Sequence, residues 1–354
     1  MKNKFKSVIH AARHSFGGAI CAVAIILTTS TVQAQNMFAT TGTNVIEITP
    51  GGVQSTFATG LIQAVGVAVN SAGDVFVADI QGLAGNGVIY EYTPAGVRST
   101  FASGLAAPIG LAFDSAGNLY CANGQGYDIL EFTNGLATAQ GIFASGLPFP
   151  MALAFDKAGD LFATVENVGN ENGYIFEFTN GVAAERGIFT TGLGYPDSLA
   201  FDSAGNLYVA DNHTSNIFEY TTNGTQSTFA SGLTVPNGLA FDSAGNLFVG
   251  SASSDNISEI TTNGTQSTFA TLPYFPEFLA FAPNPAFSVS VKMFAGIILN
   301  NGQIGSNYLI QATSNLSTSN WTTLTNVTLP TNPYIYIDYS SPTNSQQFYR
   351  AVSQ

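Results

Sequence analysis

A five-residue turn recurs through the first three quarters of the chain at nearly regular intervals. Its clearest copy, Asp242-Ser243-Ala244-Gly245-Asn246, lies between two short apolar stretches, 239–241 and 247–249. Asp at the first position and Gly at the fourth are typical of a type I turn closed by a left-handed residue, as in a β-hairpin loop. The turn glycines are Gly73, Gly117, Gly159, Gly205 and Gly245, spaced by 44, 42, 46 and 40 residues. Strand-rich repeats of this length predict an all-β fold, a β-propeller with one four-stranded blade per repeat.

The repeat count predicts six blades, with the last blade completed by the start of the chain. Five complete copies begin near Gln63, Ala107, Phe149, Tyr195 and Val235. A sixth copy contains only a first strand, within residues 275–281, and the repeat pattern then stops. Residues 37–39, 44–48 and 55–58 match the missing second, third and fourth strands. We therefore expect the N-terminal strands to close the ring.

Residues 1–34 have the pattern of a secretory signal peptide. Several lysines are followed by an uncharged, mostly apolar run from 17 to 29, and small residues precede Gln35. The run is too short to span a bilayer. The pattern predicts an exported protein, periplasmic or extracellular, whose mature chain begins at Gln35.

Two further segments follow the predicted leader. Residues 35–286 hold the propeller repeats, and residues 287–354 break the pattern. The last segment has short alternating stretches separated by Asn, Ser, Thr and Pro, which predicts a small β-sandwich.

The charge balance limits the partners that this chain can bind. Its formal net charge is −13, and removal of the leader leaves five basic residues against 22 acidic ones. So acidic a protein repels phosphate backbones and anionic lipids, which argues against nucleic acid and membrane insertion. Cys121 is the one cysteine left after the leader, so we expect no intramolecular disulfide and a monomer with a buried thiol.

The repeat separates residues that serve every blade from residues that differ between blades. One position of the third strand is glutamate in all six copies, and identical carboxylates spread around a ring do not form one catalytic pair. We expect these glutamates to be architectural, bonded to neighbouring backbone or threonine groups. They are Glu47, Glu91, Glu131, Glu177, Glu219 and Glu259.

The position that follows the proline of the first strand differs between blades. It is apolar in blades one to three and polar in blades four to six, where Asp197, Asn237 and Glu277 occupy it. These residues begin the innermost strands, so we expect them around one mouth of the central channel. Asp79 and Asp211 end second strands on the same side, and His213 lies beside Asp211. All six are candidate ligand-binding residues.

Asp197, Asn237 and Glu277 are also candidate metal ligands. Two carboxylates and a carboxamide suit a hard divalent cation such as Ca²⁺, with water completing its coordination shell. The alternative is a solvated channel mouth that holds polar side chains without an ion.

The repeats resemble those of NHL-repeat propellers, and Pro236-Asn237-Gly238 resembles a segment of the gluconolactonase (senescence-marker-protein-like) family. That resemblance implies a six-bladed propeller with a divalent metal on the channel axis, held by Glu, Asn and Asp, and an Asp base for lactone hydrolysis. Asn237 would be a ligand, with Asp197 and Glu277 as its companions. The family's Asp lies in an Asp-Gly pair, which this chain lacks.

The C-terminal segment resembles small modules of secreted bacterial proteins through Tyr308-Leu309-Ile310-Gln311 and Phe348-Tyr349-Arg350.

Three functional hypotheses follow from these patterns. In the first, the propeller binds a small molecule, glycan or protein at the channel mouth. In the second, the same face is the active site of a metal-dependent, lactonase-like hydrolase. In the third, the protein is a cell-envelope scaffold whose C-terminal segment attaches it to the envelope or contacts glycans. A serine-type triad would depend on His213, and zinc is disfavoured by one histidine and one cysteine in the mature chain.

Overall fold

The computed structural model describes residues 21–25, 35–82, 85–166, 173–283, 293–299, 307–313, 322–328, 334–337 and 348–353. The chain divides into two compact units. One unit is Val32–Ala286, and the other joins Met1–Thr31 to Phe287–Gln354. In the described residues, every regular element is a β-strand or a single turn of 3-10 helix.

Four strands precede the first complete blade. They are β1 (Cys21–Ile25), β2 (Met37–Thr40), β3 (Val45–Ile48) and β4 (Gln54–Ala58). Blade 1 is β5 (Ala64–Val69), β6 (Val75–Asp79), β7 (Gly87–Tyr92) and β8 (Arg98–Leu105). Blade 2 is β9 (Pro108–Phe113), β10 (Leu119–Asn123), β11 (Asp128–Phe132) and β12 (Gln140–Ser145). Blade 3 is β13 (Pro150–Phe155), β14 (Leu161–Val165), β15 (Gly173–Phe178) and β16 (Arg186–Leu193).

Blade 4 is β17 (Pro196–Phe201), β18 (Leu207–Asp211), β19 (Asn216–Tyr220) and β20 (Gln226–Ser231). Blade 5 is β21 (Pro236–Phe241), β22 (Leu247–Ser251), β23 (Asn256–Ile260) and β24 (Gln266–Thr271). The later strands are β25 (Leu279–Phe281), β26 (Met293–Leu299), β27 (Asn307–Thr313), β28 (Thr322–Thr328), β29 (Tyr334–Ile337) and β30 (Phe348–Ser353). The 3-10 turns are Gly124–Gly126, Thr133–Gly135, Ala137–Ala139, Thr179–Gly181 and Ala183–Glu185.

The six-bladed ring and its closure are both confirmed. Blade 6 is a four-stranded sheet in the order β25-β2-β3-β4, in which β2 from the start of the chain pairs with β25 from the end of the propeller. The pairing continues beyond the strands, because the amide of Ala282 donates to the carbonyl of Asn36 at 2.8 Å. The ring is therefore held shut by a β-ladder.

The recurring turn has the chemistry that its sequence predicts. In blade 5, the Asp242 carboxylate accepts hydrogen bonds from the amides of Ala244 and Asn246 at 2.9 and 2.8 Å. Gly245 has a φ of +88°, a left-handed conformation that glycine adopts without a steric cost. The turn joins the first two strands at the end of each blade opposite the channel mouth.

We call the contact between two neighbouring blades a seam, and the outer, wider part of each seam is filled mainly by aromatic side chains. At five of the six seams, an aromatic ring of a second strand meets a phenylalanine of the next blade's first strand, with ring centroids 4.9–5.2 Å apart and edge-to-face geometry. At the sixth seam, Phe38 packs in one cluster with Val69. These contacts bury the large side chains that hold the blades together.

Near the channel axis, where the seam is narrow, the first strands carry glycine or other small residues. A β-carbon at Gly66 or Gly110 would collide with the backbone of the next blade's innermost strand, and one at Gly238 would lie 2.8 Å from the carbonyl oxygen of Glu277. The small residues of the first strands are therefore required by backbone contact between blades. The prediction that these strands are the innermost ones is confirmed.

The recurring glutamates lie opposite aromatic residues of the second strands. Glu219 is paired in register with Tyr208, and Glu259 with Phe248. The Tyr208 hydroxyl donates to Glu219 at 3.1 Å, and Asn36 donates to Glu47 at 2.7 Å. Glu47 and Glu219 thus make contacts within their own blades, and their partners are asparagine and tyrosine side chains where backbone or threonine groups were expected; the architectural role of all six glutamates stays a prediction.

The second compact unit contains two three-stranded antiparallel sheets, in the orders β1-β26-β29 and β28-β27-β30. The predicted sandwich stays a prediction, because much of residues 287–354 lies outside the described residues. Of the predicted leader, the structure describes Cys21–Ile25, which pair with β26. Cys121, in the propeller, is fully buried as predicted.

A pair of substitutions tests the role of the recurring glutamates. Glu219→Ala removes one acceptor of the Tyr208 hydroxyl, a residue only 6% exposed that also has Asp202 as a hydrogen-bond partner, so we expect it to lower the free energy of unfolding by about 0.5–1.5 kcal/mol. Glu259→Ala is the matched control with a smaller loss, because Phe248 has no hydroxyl. Urea unfolding of the two single variants, and of each variant combined with Tyr208→Phe, measures the difference between their losses of unfolding free energy. Equal losses in the two blades would contradict this assignment.

Candidate functional site

The candidate site lies at the end of the propeller where the innermost strands begin. In blades 3, 4 and 5, a backbone hydrogen bond of 2.9–3.3 Å ties the residue after the second strand to the residue before the proline of the first strand. In blade 4, for example, the Asn212 amide donates to the Tyr195 carbonyl at 2.9 Å. This bond places two side-chain positions of each blade beside the channel mouth.

A β-bulge displaces the innermost strand at this end of the blade. In blade 4, Pro196 pairs with Asp211 and Ser198 with Ala210, which leaves Asp197 without an opposite residue. The same shift in blade 5 leaves Asn237 and Gly238 unpaired in the ladder. A bulge turns its extra residue away from the regular alternation of the strand. The residue after each proline is thereby freed from the blade ladder, as a site residue requires.

Three of the predicted site residues belong to one connected group. Asn237 is buried, and its carboxamide nitrogen lies 3.4 Å from the Glu277 carboxylate. Asp197, in the neighbouring blade, is half-buried and accepts a hydrogen bond from the Asn212 side chain at 2.7 Å. The carboxylates of Asp197 and Glu277 are also close enough to repel each other. The structure thus brings Asp197, Asn237 and Glu277 together at the mouth.

Two members of this group were missed at the sequence level. Glu166 and Asn212 follow the second strands of blades 3 and 4, and both are half-buried. The position that they occupy reads Gly42, Ile80, Gly124, Glu166, Asn212 and Ala252 around the ring. The blade-by-blade comparison that identified Asp197 would have found them if it had been applied to this position. We call Glu166, Asp197, Asn212, Asn237 and Glu277 the acidic arc.

Apolar residues fill the same position on the other half of the ring. Val65 and Ile109 are buried, and Met151 is half-buried. We call these three residues the apolar arc. At this position the mouth is therefore apolar in blades 1 to 3 and polar in blades 4 to 6, and Glu166 extends the polar side to blade 3.

Burial raises the pKa values of the three carboxyl groups in the acidic arc, and neighbouring carboxylates add to the rise at Asp197. Burial raises the pKa of Asp197 to about 7, the hydrogen bond from Asn212 opposes the rise, and the nearby carboxylates of Glu166, Glu277 and Asp211 add to it. Burial also raises the pKa of Glu166. The pKa of Glu277 is raised by burial and lowered in part by its contact with Asn237. Ionisation of these groups therefore destabilises the folded state.

The lysine and arginine residues of the propeller lie at its opposite end. Within residues 35–283 they are Arg98, Lys157 and Arg186. Arg98 and Arg186 begin outermost strands and lie over the rings of Tyr90 and Phe176, and Lys157 sits in a hairpin turn, where it bonds the Ser203 carbonyl. Among the described propeller residues, no lysine or arginine therefore lies beside the acidic arc.

Asp79 and Asp211 have a structural role that the sequence did not indicate. Both are fully buried at the ends of second strands. Asp79 accepts hydrogen bonds from the amides of Ile62 and Gln63, and Asp211 from those of Gly194, Tyr195 and Thr214. Asn123 receives the Ala106 amide in the same way in blade 2. These side chains anchor the loop that enters the innermost strand, so their contact with a ligand stays an untested prediction.

His213 lies at the rim of the mouth. It is exposed, and its ring centroid is 5.8 Å from that of Tyr195. Gly194 leaves room for it, because a β-carbon there would collide with that of His213. His213 follows Asn212 directly in the chain, so it is a rim residue next to the acidic arc.

The predicted metal ligands fit a cation in part. The Asn237 side-chain oxygen, which would bind a metal, accepts the Gly238 amide at 2.9 Å, while its nitrogen faces Glu277. Among the described residues, no group of three or more His, Cys, Asp or Glu side chains has an arrangement that would hold a metal ion. A cation at the mouth would depend on the carboxylates of Asp197 and Glu277, so the calcium site stays a prediction.

Comparison with known proteins identifies the fold and leaves the family open. No family model matches the chain, and no curated protein sequence matches it. Among solved structures, a chain of the nidogen/laminin complex aligns with a TM-score of 0.62 at 19% identity, covering 72% of this chain and 100% of that one. A streptogramin B lyase aligns with a TM-score of 0.54 at 13% identity, covering 77% and 93%.

Virginiamycin B lyase from Staphylococcus aureus aligns with a TM-score of 0.51 at 14% identity, covering 70% and 87% of the two chains. At these identities the likeness shows a shared propeller fold. The resemblance to NHL repeats and gluconolactonases stays a prediction. In the described part of the chain, no helix is long and apolar enough to cross a membrane.

The raised pKa of Asp197 predicts a pH-dependent stability. Because the folded state holds this proton up to about pH 7 and the unfolded state releases it near the ordinary pKa of 3.8, wild-type stability should fall as pH rises between these values. Asp197→Asn removes the titrating group while keeping an oxygen acceptor for Asn212. Its stability relative to wild type should increase by at most about 1.4 kcal/mol per pH unit across this window.

Urea unfolding at pH 4, 5.5, 7 and 8 measures this difference. Glu166 and Glu277 still titrate in the variant, so its own stability keeps part of the pH dependence. A difference between variant and wild type that stays constant over the series would contradict the assignment.

Proposed function

We propose that this protein binds a ligand at the mouth of its central channel and that the ligand brings a positive charge to the acidic arc. One observation carries the proposal. Three carboxyl groups from three blades are partly desolvated together, with raised pKa values, and the lysine and arginine residues of the described propeller all lie at the other end. Functional sites are where such unfavourable charge clusters are usually retained.

A cationic ligand would remove the cause of the raised pKa values. An ammonium or metal cation beside Asp197 and Glu277 favours their ionised forms, so binding should release protons near neutral pH. It should also become tighter as pH rises through 7. Proton release and tighter binding at higher pH are both measurable signatures.

The apolar arc indicates which kind of cation suits the mouth. Met151, which is half-buried, offers apolar surface on the side opposite the carboxyl groups, and the buried side chains of Val65 and Ile109 make the rest of that side apolar. An organic amine with a short apolar body would contact both halves of the mouth, whereas a bare divalent cation would use the acidic arc alone. The similar propellers include one in a protein complex and two named as lyases, so the fold itself is compatible with binding and with catalysis.

A matched set of probes tests the proposal by thermal unfolding. Phenethylamine, 2-phenylethanol and 3-phenylpropanoate share an aromatic body and differ in charge, and Ca²⁺ with a chelator control tests the metal alone. We expect phenethylamine to raise the melting temperature at pH 8 and the other two organic probes to leave it unchanged. At a hundredfold excess over its Kd, a ligand specific for the folded state stabilises it by about 2.7 kcal/mol.

Substitutions then locate the effect. Asp197→Asn and Glu277→Gln should each remove most of the stabilisation, while Glu259→Gln, at the opposite end of a blade, should keep it. A response to Ca²⁺ and not to phenethylamine would assign the site to a metal. A melting temperature unchanged by every cation would overturn the proposal.

A hydrolase is the second candidate, and Asp197 favours it. A carboxyl group with a pKa of about 7, oriented by the Asn212 side chain, is suited to transfer protons at neutral pH. A panel of ester and lactone probes checks this candidate. Turnover that Asp197→Asn abolishes and that Glu259→Gln retains would support it, and a panel without turnover would leave binding as the function.

Export belongs to the same proposal, and a cell-envelope scaffold that uses residues 287–354 for attachment or glycan contact is the third candidate. They rest on the leader-like pattern of residues 1–34 and on the resemblance of the C-terminal segment to modules of secreted proteins.

A further inference from the structure

One residue breaks the pattern of small side chains around the channel. The third residue of the innermost strand is Gly66, Gly110, Ala152, Ser198 or Gly238 in the first five blades, where the next blade approaches closely. In blade 6 this position is Phe278. A phenyl ring does not fit the gap that glycine fills in the other seams, so the side chain has to lie elsewhere.

The structure places Phe278 against both sides of the ring. It packs against the cluster between blades 6 and 1, which includes Ala64 and Val67. It also packs against the cluster between blades 3 and 4, which includes Ala152 and Leu199. In a ring of six blades these two seams are diametrically opposite. A side chain that contacts both must therefore cross the channel axis.

The backbone around Phe278 is arranged to allow this. Blade 6 has a short innermost strand that starts only at Leu279, whereas the innermost strands of the other blades have six residues. Thr40, which is fully buried, replaces the missing ladder. Its hydroxyl accepts the Phe278 amide at 3.1 Å, and its own amide donates to the Phe278 carbonyl at 3.1 Å.

We propose that Phe278 closes the central channel directly beneath the acidic arc and is a specificity-determining residue of the mouth site. Glu277 precedes it in the chain, so the acidic arc and the phenyl ring are neighbouring parts of one pocket. The pocket is blind, and its depth is set by the ring. The part of the inference that concerns ligand size rests on the proposed binding of a cation at this mouth.

This closure limits the ligand in a specific way. A cation held by Asp197 and Glu277 can extend its apolar part along the apolar arc only until it reaches the phenyl ring. Longer apolar chains then turn outwards into water and gain no further affinity. Removal of the ring should open an apolar cavity that accepts a benzene-sized molecule, as cavities left by large-to-small core substitutions do.

Phe278→Ala tests the closure, and Phe281→Ala is its matched control. Phe281 ends the short strand that follows Phe278, but its ring packs against Phe248 at the outer part of the contact between blades, with ring centroids 5.2 Å apart. Calorimetric titration with benzene should show binding to Phe278→Ala and none to wild type. A benzene response that is the same in wild type and in Phe278→Ala would overturn the inference.

A series of n-alkylamines from butylamine to octylamine tests the depth of the pocket. In wild type and in Phe281→Ala, affinity should stop rising at a short chain length. In Phe278→Ala, it should continue to rise by about fourfold for each added methylene. The same length limit in all three proteins would overturn the assignment of Phe278 as a specificity residue.

The two measurements separate the inference from the function on which it partly rests. If no alkylamine binds any of the proteins, cation binding fails, while the benzene titration still decides whether Phe278 closes the channel. If Phe278→Ala does not fold, Phe278→Leu replaces it in the benzene titration and in the alkylamine series. Leucine keeps apolar contact with the two clusters and leaves space at the position of the outer part of the phenyl ring. Wild-type behaviour of Phe278→Leu with benzene and with the alkylamine series would overturn the inference.

Discussion

The packing of each blade against the next is the interaction on which the structure depends. The distance between neighbouring sheets increases from the channel axis towards the outside of the ring. Large side chains therefore have to fill the space between sheets on the outside, whereas near the channel there is room only for glycine or very small side chains. Edge-to-face aromatic pairs such as Phe76 with Phe113 meet the first demand. Gly66 and Gly110 meet the second, because their α-carbons lie against the backbone of the next blade. Every other feature of the propeller follows from this taper.

The candidate site is a consequence of the same geometry. Close approach of the innermost strands brings residues from three successive blades within reach of one another, although Asp197, Asn237 and Glu277 are each 40 residues apart in the chain. The bulges in blades 4 and 5 free the side chains of Asp197 and Asn237 from the ladder, and burial together with the neighbouring carboxylates raises the pKa of Asp197. The lysine and arginine residues of the described propeller lie at the far end of the blades, away from this charge.

Closure of the ring links the site to the ends of the propeller. Blade 6 is assembled from two distant parts of the chain, and Thr40 of the N-terminal part holds the backbone of Phe278 of the C-terminal part. Glu277 donates its amide to the Thr40 carbonyl as well, at 2.9 Å. The residues that build the acidic arc and the channel floor in this blade therefore depend on the N-terminal strands for their position.

The sequence was sufficient to predict the repeat period, the hairpin turns, the number of blades, the closure by residues 37–58 and the polar half of the channel mouth. These properties are local or recur in each repeat, so they can be recognised by comparing one copy of the repeat with another. Contacts between blades, in contrast, exist only in the folded ring. Glu166 and Asn212 belong to the acidic arc because the ends of two strands meet there. Asp79 and Asp211 accept hydrogen bonds from loop amides. The side-chain oxygen of Asn237 accepts the amide of Gly238. Phe278 crosses the channel for the same reason: its neighbours lie in blades on the far side of the ring, at sequence distances that no local pattern records.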